Sequence, residues 1–128
     1  MFFKAKRALA VTGACLLFAV ASDAGAHHSG AMFDRAKTIE VTGTVIEYQY
    51  TNPHPWIRIM ARIDGADKEY DIEGPSISSM RGVNVTPSTL KTGDKIVARV
   101  HPMKDGRLGG ALVELRLPDG RIASMERR

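Results

Sequence analysis

Thr38-Ile39-Glu40-Val41-Thr42-Gly43-Thr44-Val45-Ile46-Glu47-Tyr48-Gln49-Tyr50 is the stretch whose pattern sets the fold. Ile39, Val41 and Val45 lie on one alternation phase. Ile46, Tyr48 and Tyr50 lie on the other. A straight strand sends alternate side chains to opposite faces, so a change of phase turns its apolar set from one face to the other. With Gly43 beside the change, the pattern reads as one long strand with a β-bulge or a sharp bend. Small barrels need such bends to close.

Outward from this stretch, short alternating runs are separated by turn residues. Trp56 to Ile63 places Ile57, Ile59, Ala61 and Ile63 against Arg58 and Arg62, and Asp64-Gly65 ends it. A short third strand, Glu69 to Glu73, stops at Gly74-Pro75. Ser76 to Val83 reads as one or two helical turns with Ser76 as N-cap. A loop from Thr86 to Asp94 leads to a fourth strand, Lys95 to His101. Asp105-Gly106 then turns into a fifth, Gly110 to Leu117, and Asp119-Gly120 into a weak last one, Arg121 to Met125. Three strands, a short helical connection and two or three more strands predict a mainly β fold: a small OB-like antiparallel barrel of five or six strands. A plain antiparallel sandwich is the alternative, because it uses the same strand patterns.

The start of the chain reads differently. Lys4, Lys6 and Arg7 form a basic segment, Ala8 to Ala21 is almost uninterrupted apolar, and Ala24-Gly25-Ala26 is a small-x-small ending. That is the pattern of a cleavable secretory signal peptide, so cleavage is expected after Ala26. The apolar run is short of the roughly 20 residues a membrane-spanning helix needs. The expected organisation is a signal-peptide helix over 1–26, an irregular arm over 27–37 and a barrel domain over 38–128. The expected location is the periplasm or the outside of the cell, with membrane contact only during export.

Cleavage would leave 102 of the 128 residues and take the formal net charge from +4 to +2. The one cysteine, Cys15, lies inside the apolar run and would leave with it. The remaining chain then has no disulfides, thiolate zinc sites or cysteine nucleophiles. A charge of +2 and few aromatic residues argue against nucleic acid as a partner. No serine lies in a Gly-x-Ser-x-Gly elbow, and Gly109-Gly110 opens no helix, so it is no phosphate loop. Asp71 and Glu73 read as the outer face of a strand, and nothing in the pattern points to an enzyme.

The histidines carry the remaining chemistry. Cleavage after Ala26 would give His27 a free α-amine, and the amine and ring Nδ1 could chelate one metal ion. One more imidazole, from His28, His54 or His101, would complete a three-nitrogen set of the kind copper(II) favours. Met32 and Met103 offer thioether contacts suited to copper(I). A solvated, frayed terminus is the alternative reading of His27 and His28. In Thr51-Asn52-Pro53-His54-Pro55-Trp56 the two prolines restrict the backbone around His54. The string reads either as a rim site with Asn52 and Trp56 or as a rigid turn whose tryptophan plugs the barrel end. His101 lies on the strand phase opposite Ile96, Ala98 and Val100, so it is expected to point away from the core.

The stretches His27-His28-Ser29-Gly30-Ala31-Met32-Phe33-Asp34, Val41-Thr42-Gly43-Thr44-Val45, Thr51-Asn52-Pro53-His54-Pro55-Trp56-Ile57 and Leu90-Lys91-Thr92-Gly93-Asp94 together resemble an uncharacterised family of small exported bacterial proteins, domain of unknown function 6152. The resemblance covers essentially all of the chain after the signal. It implies a small β-barrel behind a signal peptide and supplies no catalytic residues. The expected function is a non-enzymatic periplasmic binding module with a copper or other transition-metal site at His27, His28, His54 and His101. A structural or interaction module that contacts another envelope protein is the alternative, and a small organic ligand at the barrel mouth is a third.

Overall fold

The computed structural model describes residues 29–126. The expected signal peptide, His27 and His28 lie outside them. Six strands run in the order β1 Ile39–Gln49, β2 Trp56–Ile63, β3 Ala66–Glu73, β4 Lys95–Pro102, β5 Gly109–Arg116 and β6 Ile122–Ser124. One helix, α1 Ile77–Gly82, connects β3 to β4, and a 3₁₀ turn, Ser29–Met32, precedes β1. Neighbours in the sheet run β3-β2-β1-β4-β5-β6, and a further pairing of β3 with β5 closes the first five into a barrel. β6 lies outside the closed ring on β5. This is the OB-like, mainly β architecture.

The ring differs from the expected antiparallel one at its seam. Asp71, Ile72 and Glu73 pair in parallel with Gly109, Gly110 and Ala111. The chain crosses through α1 and β4 between these strands, and a crossover connection permits parallel pairing where a hairpin cannot. The barrel is therefore mixed. The Tyr70 hydroxyl donates to the Gly109 carbonyl across this seam at 2.9 Å.

β1 bends as its pattern requires, at a slightly later point than Gly43. The register against β2 shifts between Val45 and Glu47, so Ile46 is the extra residue of the bulge. This is where the apolar phase changes: Val41 and Val45 are buried on one side of it, and Tyr48 and Tyr50 pack on the core from the other. Gly43 has a different role. A Cβ there would stand 2.5 Å from the Met60 carbonyl oxygen, so glycine lets β2 approach the bend.

β3 begins three residues earlier than the sequence suggests. Asp64 and Gly65 both have positive φ, 50° and 79°. That is the signature of a two-residue hairpin turn whose twist matches the strands, so pairing starts at once with Ile63 opposite Ala66. The Ser76 hydroxyl accepts from the Ser79 N–H at 3.1 Å and caps α1 as expected. Met80 of α1, with Val85 and Leu90 after it, is buried in one core with Ile57, Ile59, Ile72, Ile96, Val100 and Leu115.

The arm before β1 is docked. Phe33 is buried and forms a bridge with Met103, Asp34 N–H donates to the Pro102 carbonyl at 2.8 Å, and Lys104 N–H donates to the Met32 carbonyl at 2.8 Å. Burying the Phe33 ring while pairing its neighbours' backbone holds the segment against the β4–β5 hairpin.

Candidate functional site

The loop over residues 50–55 joins β1 to β2, and its Asn52–Pro53 peptide is cis. Pro55 is fully buried, and its carbonyl accepts from the Gly74 N–H at 2.8 Å. A Cβ on Gly74 would meet that carbonyl oxygen at 3.2 Å and the Pro55 Cβ at 3.3 Å, so glycine allows this close approach. The approach brings the end of β3 to His54. The imidazole Nδ1 lies 3.1 Å from the Gly74 carbonyl oxygen. A carbonyl only accepts, so Nδ1 carries the proton and Nε2 is the nitrogen left with a lone pair in the neutral ring.

His101, at the end of β4, has the same arrangement. Its Nδ1 donates to the Lys37 carbonyl at 2.7 Å, which ties the ring to the end of the arm and leaves Nε2 without a hydrogen-bond partner among the described residues. The side chain lies outside the core cluster, as its strand phase indicates, yet it is partly buried.

Both rings line one cleft of about 350 Å³, together with Gly30, Arg35 and Glu73. His54 and His101 are 47 positions apart in the chain, and barrel closure with the docked arm unites them. Gly30 places the arm at this cleft, three positions beyond His27. Asn52 is exposed on the neighbouring loop and is not among the residues lining the cleft.

Glu73 is the residue the alternation pattern misread. It was expected on the outer face of a strand, but its side chain is only 10% exposed. Its Oε1 is 3.8 Å from His54 Nε2, beyond hydrogen-bond reach, and it makes no hydrogen bond among the described residues. Burial pushes its carboxyl above the usual carboxylate range, and the charge of His54 pulls it back in part. The residues around it come from the arm, the β1–β2 loop and β5, which no local pattern could reveal.

Among the described residues, no three histidine, cysteine or carboxylate side chains are grouped closely enough to hold a metal ion by themselves. His54, His101 and Glu73 border one cleft together with Gly30 of the arm.

Trp56 does not plug the barrel. It is 41% exposed, on the outer surface. Beside it, Arg58 is bound to Asp71 at 2.7 Å and flanked by Glu47 at 3.4 Å and Glu69 at 3.8 Å. In OB-type barrels the β2–β3 face is the one that takes oligonucleotides. Three carboxylates around one guanidinium repel a phosphate backbone.

The sequence matches the profile of a family of unknown function, DUF6152, over residues 14–112. The chain belongs to the DUF6152 family. None of the curated proteins matches the DUF6152 chain at a significant level. Among solved structures it is similar to a mitochondrial single-stranded DNA binding protein from S. cerevisiae, Rim1, at 13% identity and a TM-score of 0.48. That likeness covers 63% of this chain and 92% of the other. Identity and superposition at this level transfer nothing from that protein to DUF6152 chemistry.

Proposed function

We propose that this protein is an exported, non-enzymatic binding module that holds a transition-metal ion, copper(II) first, in the cleft between the arm and the ends of β3 and β4. The observation that carries the reading is the paired state of the two imidazoles. Each Nδ1–H is held by a backbone carbonyl, and both rings border the same cleft. Such a bond fixes the tautomer and orientation of a metal-ligating histidine and leaves Nε2 as the donor nitrogen. The described donors are incomplete, so the reading requires the arm to contribute the His27 amine and ring, or His28. The docked segment from Gly30 to Lys37 supports this by leading the chain to the cleft. Glu73 adds a carboxylate whose negative charge would favour a bound cation.

The test uses the processed protein purified from the periplasm of an expressing bacterium, with mass spectrometry to show its first residue. Copper(II) titration with electron paramagnetic resonance should show nitrogen coordination. His54→Ala and His101→Ala should each weaken binding by at least about tenfold, equivalent to about 1.4 kcal/mol. Binding no tighter than that of a short peptide starting His-His, or unchanged in both variants, would sink the reading.

A second reading, contact with another envelope protein, is favoured by one observation: Trp56, Met32 and Leu108 are all exposed and line one cleft.

A further inference from the structure

A second cleft, of about 370 Å³, also has Phe33 in its wall. It is lined by Met32, Met103, Trp56 and Leu108, with Asp71 and Arg107 at its charged positions. Phe33 borders both clefts, and neither methionine borders the imidazole one. We propose that this second cleft is a soft-metal site for a monovalent cation of the copper(I) and silver(I) class, held by the thioethers of Met32 and Met103 against the indole of Trp56.

Both methionines line this cleft, carried on adjoining segments of backbone. Met32 precedes Phe33, which bridges Met103, and the Met32 carbonyl accepts from Lys104 at 2.8 Å. Both methionines are therefore carried on paired backbone around one short bridge. Packing alone does not explain them. Met80 is the methionine fully buried in the core, whereas Met32 is 39% exposed and Met103 is partly exposed. A leucine would serve as well for apolar cover at such positions.

The chemistry fits one class of ligand. Thioethers are uncharged, soft donors that select copper(I) over harder divalent ions. An indole face attracts a cation through its quadrupole, and tryptophan does so best. The charges around the cleft do not oppose a cation. The Arg107 guanidinium is bound to Asp105 at 2.7 Å, and Asp71 carries a formal negative charge already paired with Arg58. The site differs from the imidazole cleft in residues, donor softness and favoured oxidation state, so the two proposals stand or fall separately.

Silver(I) is the redox-inert probe, and the chain's single tryptophan is the reporter. Titration of the purified protein with silver nitrate should quench Trp56 emission saturably at one ion per chain. The double substitution Met32→Leu and Met103→Leu should weaken that response at least about tenfold. His54→Ala with His101→Ala should leave it unchanged. Circular dichroism of the leucine variant should match the wild type, since leucine keeps the apolar volume. An absent response, or one that survives the leucine exchange, overturns the proposal. Survival would instead point to an apolar contact surface, for which leucine is an adequate substitute.

Discussion

His54 Nδ1 lies 3.1 Å from the Gly74 carbonyl oxygen, and the Gly74 N–H returns a bond to the Pro55 carbonyl at 2.8 Å. The β1–β2 loop and the end of β3 thus hold each other through both polar groups of one glycine. The position of the imidazole follows from this clasp.

Gly74→Ala tests the clasp. Its Cβ would sit 3.2 Å from the Pro55 carbonyl oxygen, so the loop must give by a few tenths of an ångström. We expect a loss of about 1 kcal/mol in urea unfolding. Copper(II) affinity should fall with it, because His54 moves. Full affinity in a destabilised variant would separate the clasp from the site.

Glu73→Gln tests the buried carboxylate. The folded state raises its pKa, mainly by burial. The unfolded chain therefore ionises first, and the protein loses stability as pH rises from the ordinary carboxylate range through the raised one. A glutamine does not ionise. The melting temperature of the variant should therefore gain on the wild type as pH rises above the ordinary glutamate value of about 4.3. A gap that narrows as pH rises would contradict the sign.

Tyr70→Phe tests the parallel seam. The hydroxyl donates to the Gly109 carbonyl at 2.9 Å, and that oxygen also accepts from the Met103 N–H at 3.1 Å. The carbonyl keeps one partner after substitution, so the expected cost in urea unfolding is about 1 kcal/mol. Hydrogen exchange should quicken first at Asp71, whose N–H donates to the Leu108 carbonyl at 3.2 Å beside the seam.

Gly43→Ala tests the bend of β1. The added Cβ would stand 2.5 Å from the Met60 carbonyl oxygen, and backbone cannot swing aside as a side chain can. A loss of more than about 2 kcal/mol is expected in thermal or urea unfolding. A neutral result would place the strain-relieving role elsewhere in the strand.

Much of the fold is legible in local pattern. The phase change in β1 marks a bulge that lies at Ile46, and Trp56 to Ile63 is a strand with the bounds its alternation indicates. Ser76 caps a helix where its neighbours suggest one. The site is less legible. His54 was marked by its flanking prolines and His101 only weakly, because the carbonyls that hold their rings come from residues 20 and 64 positions away. Glu73 looked like an outer-face carboxylate, since alternation says which side of a strand a residue takes and nothing of what covers that side. Trp56 shares the outward phase of Arg58 and Arg62, and the structure leaves it exposed there.

By itself the sequence determined the strand set, the turns and the helical connection, because a period of two and the φ demands of Asp64-Gly65 act within a few residues. It also determined which donors the chain owns: four imidazoles, and no cysteine beyond residue 15. Only the tertiary structure decided that β3 and β5 close the ring in parallel, that Phe33 docks the arm, and that His54, His101 and Glu73 border one cleft while Met32, Met103 and Trp56 border another. Those outcomes depend on which apolar faces bury one another across tens of residues. Hydrophobic burial is non-directional, so the strand patterns leave the partner of each face open until the whole core packs.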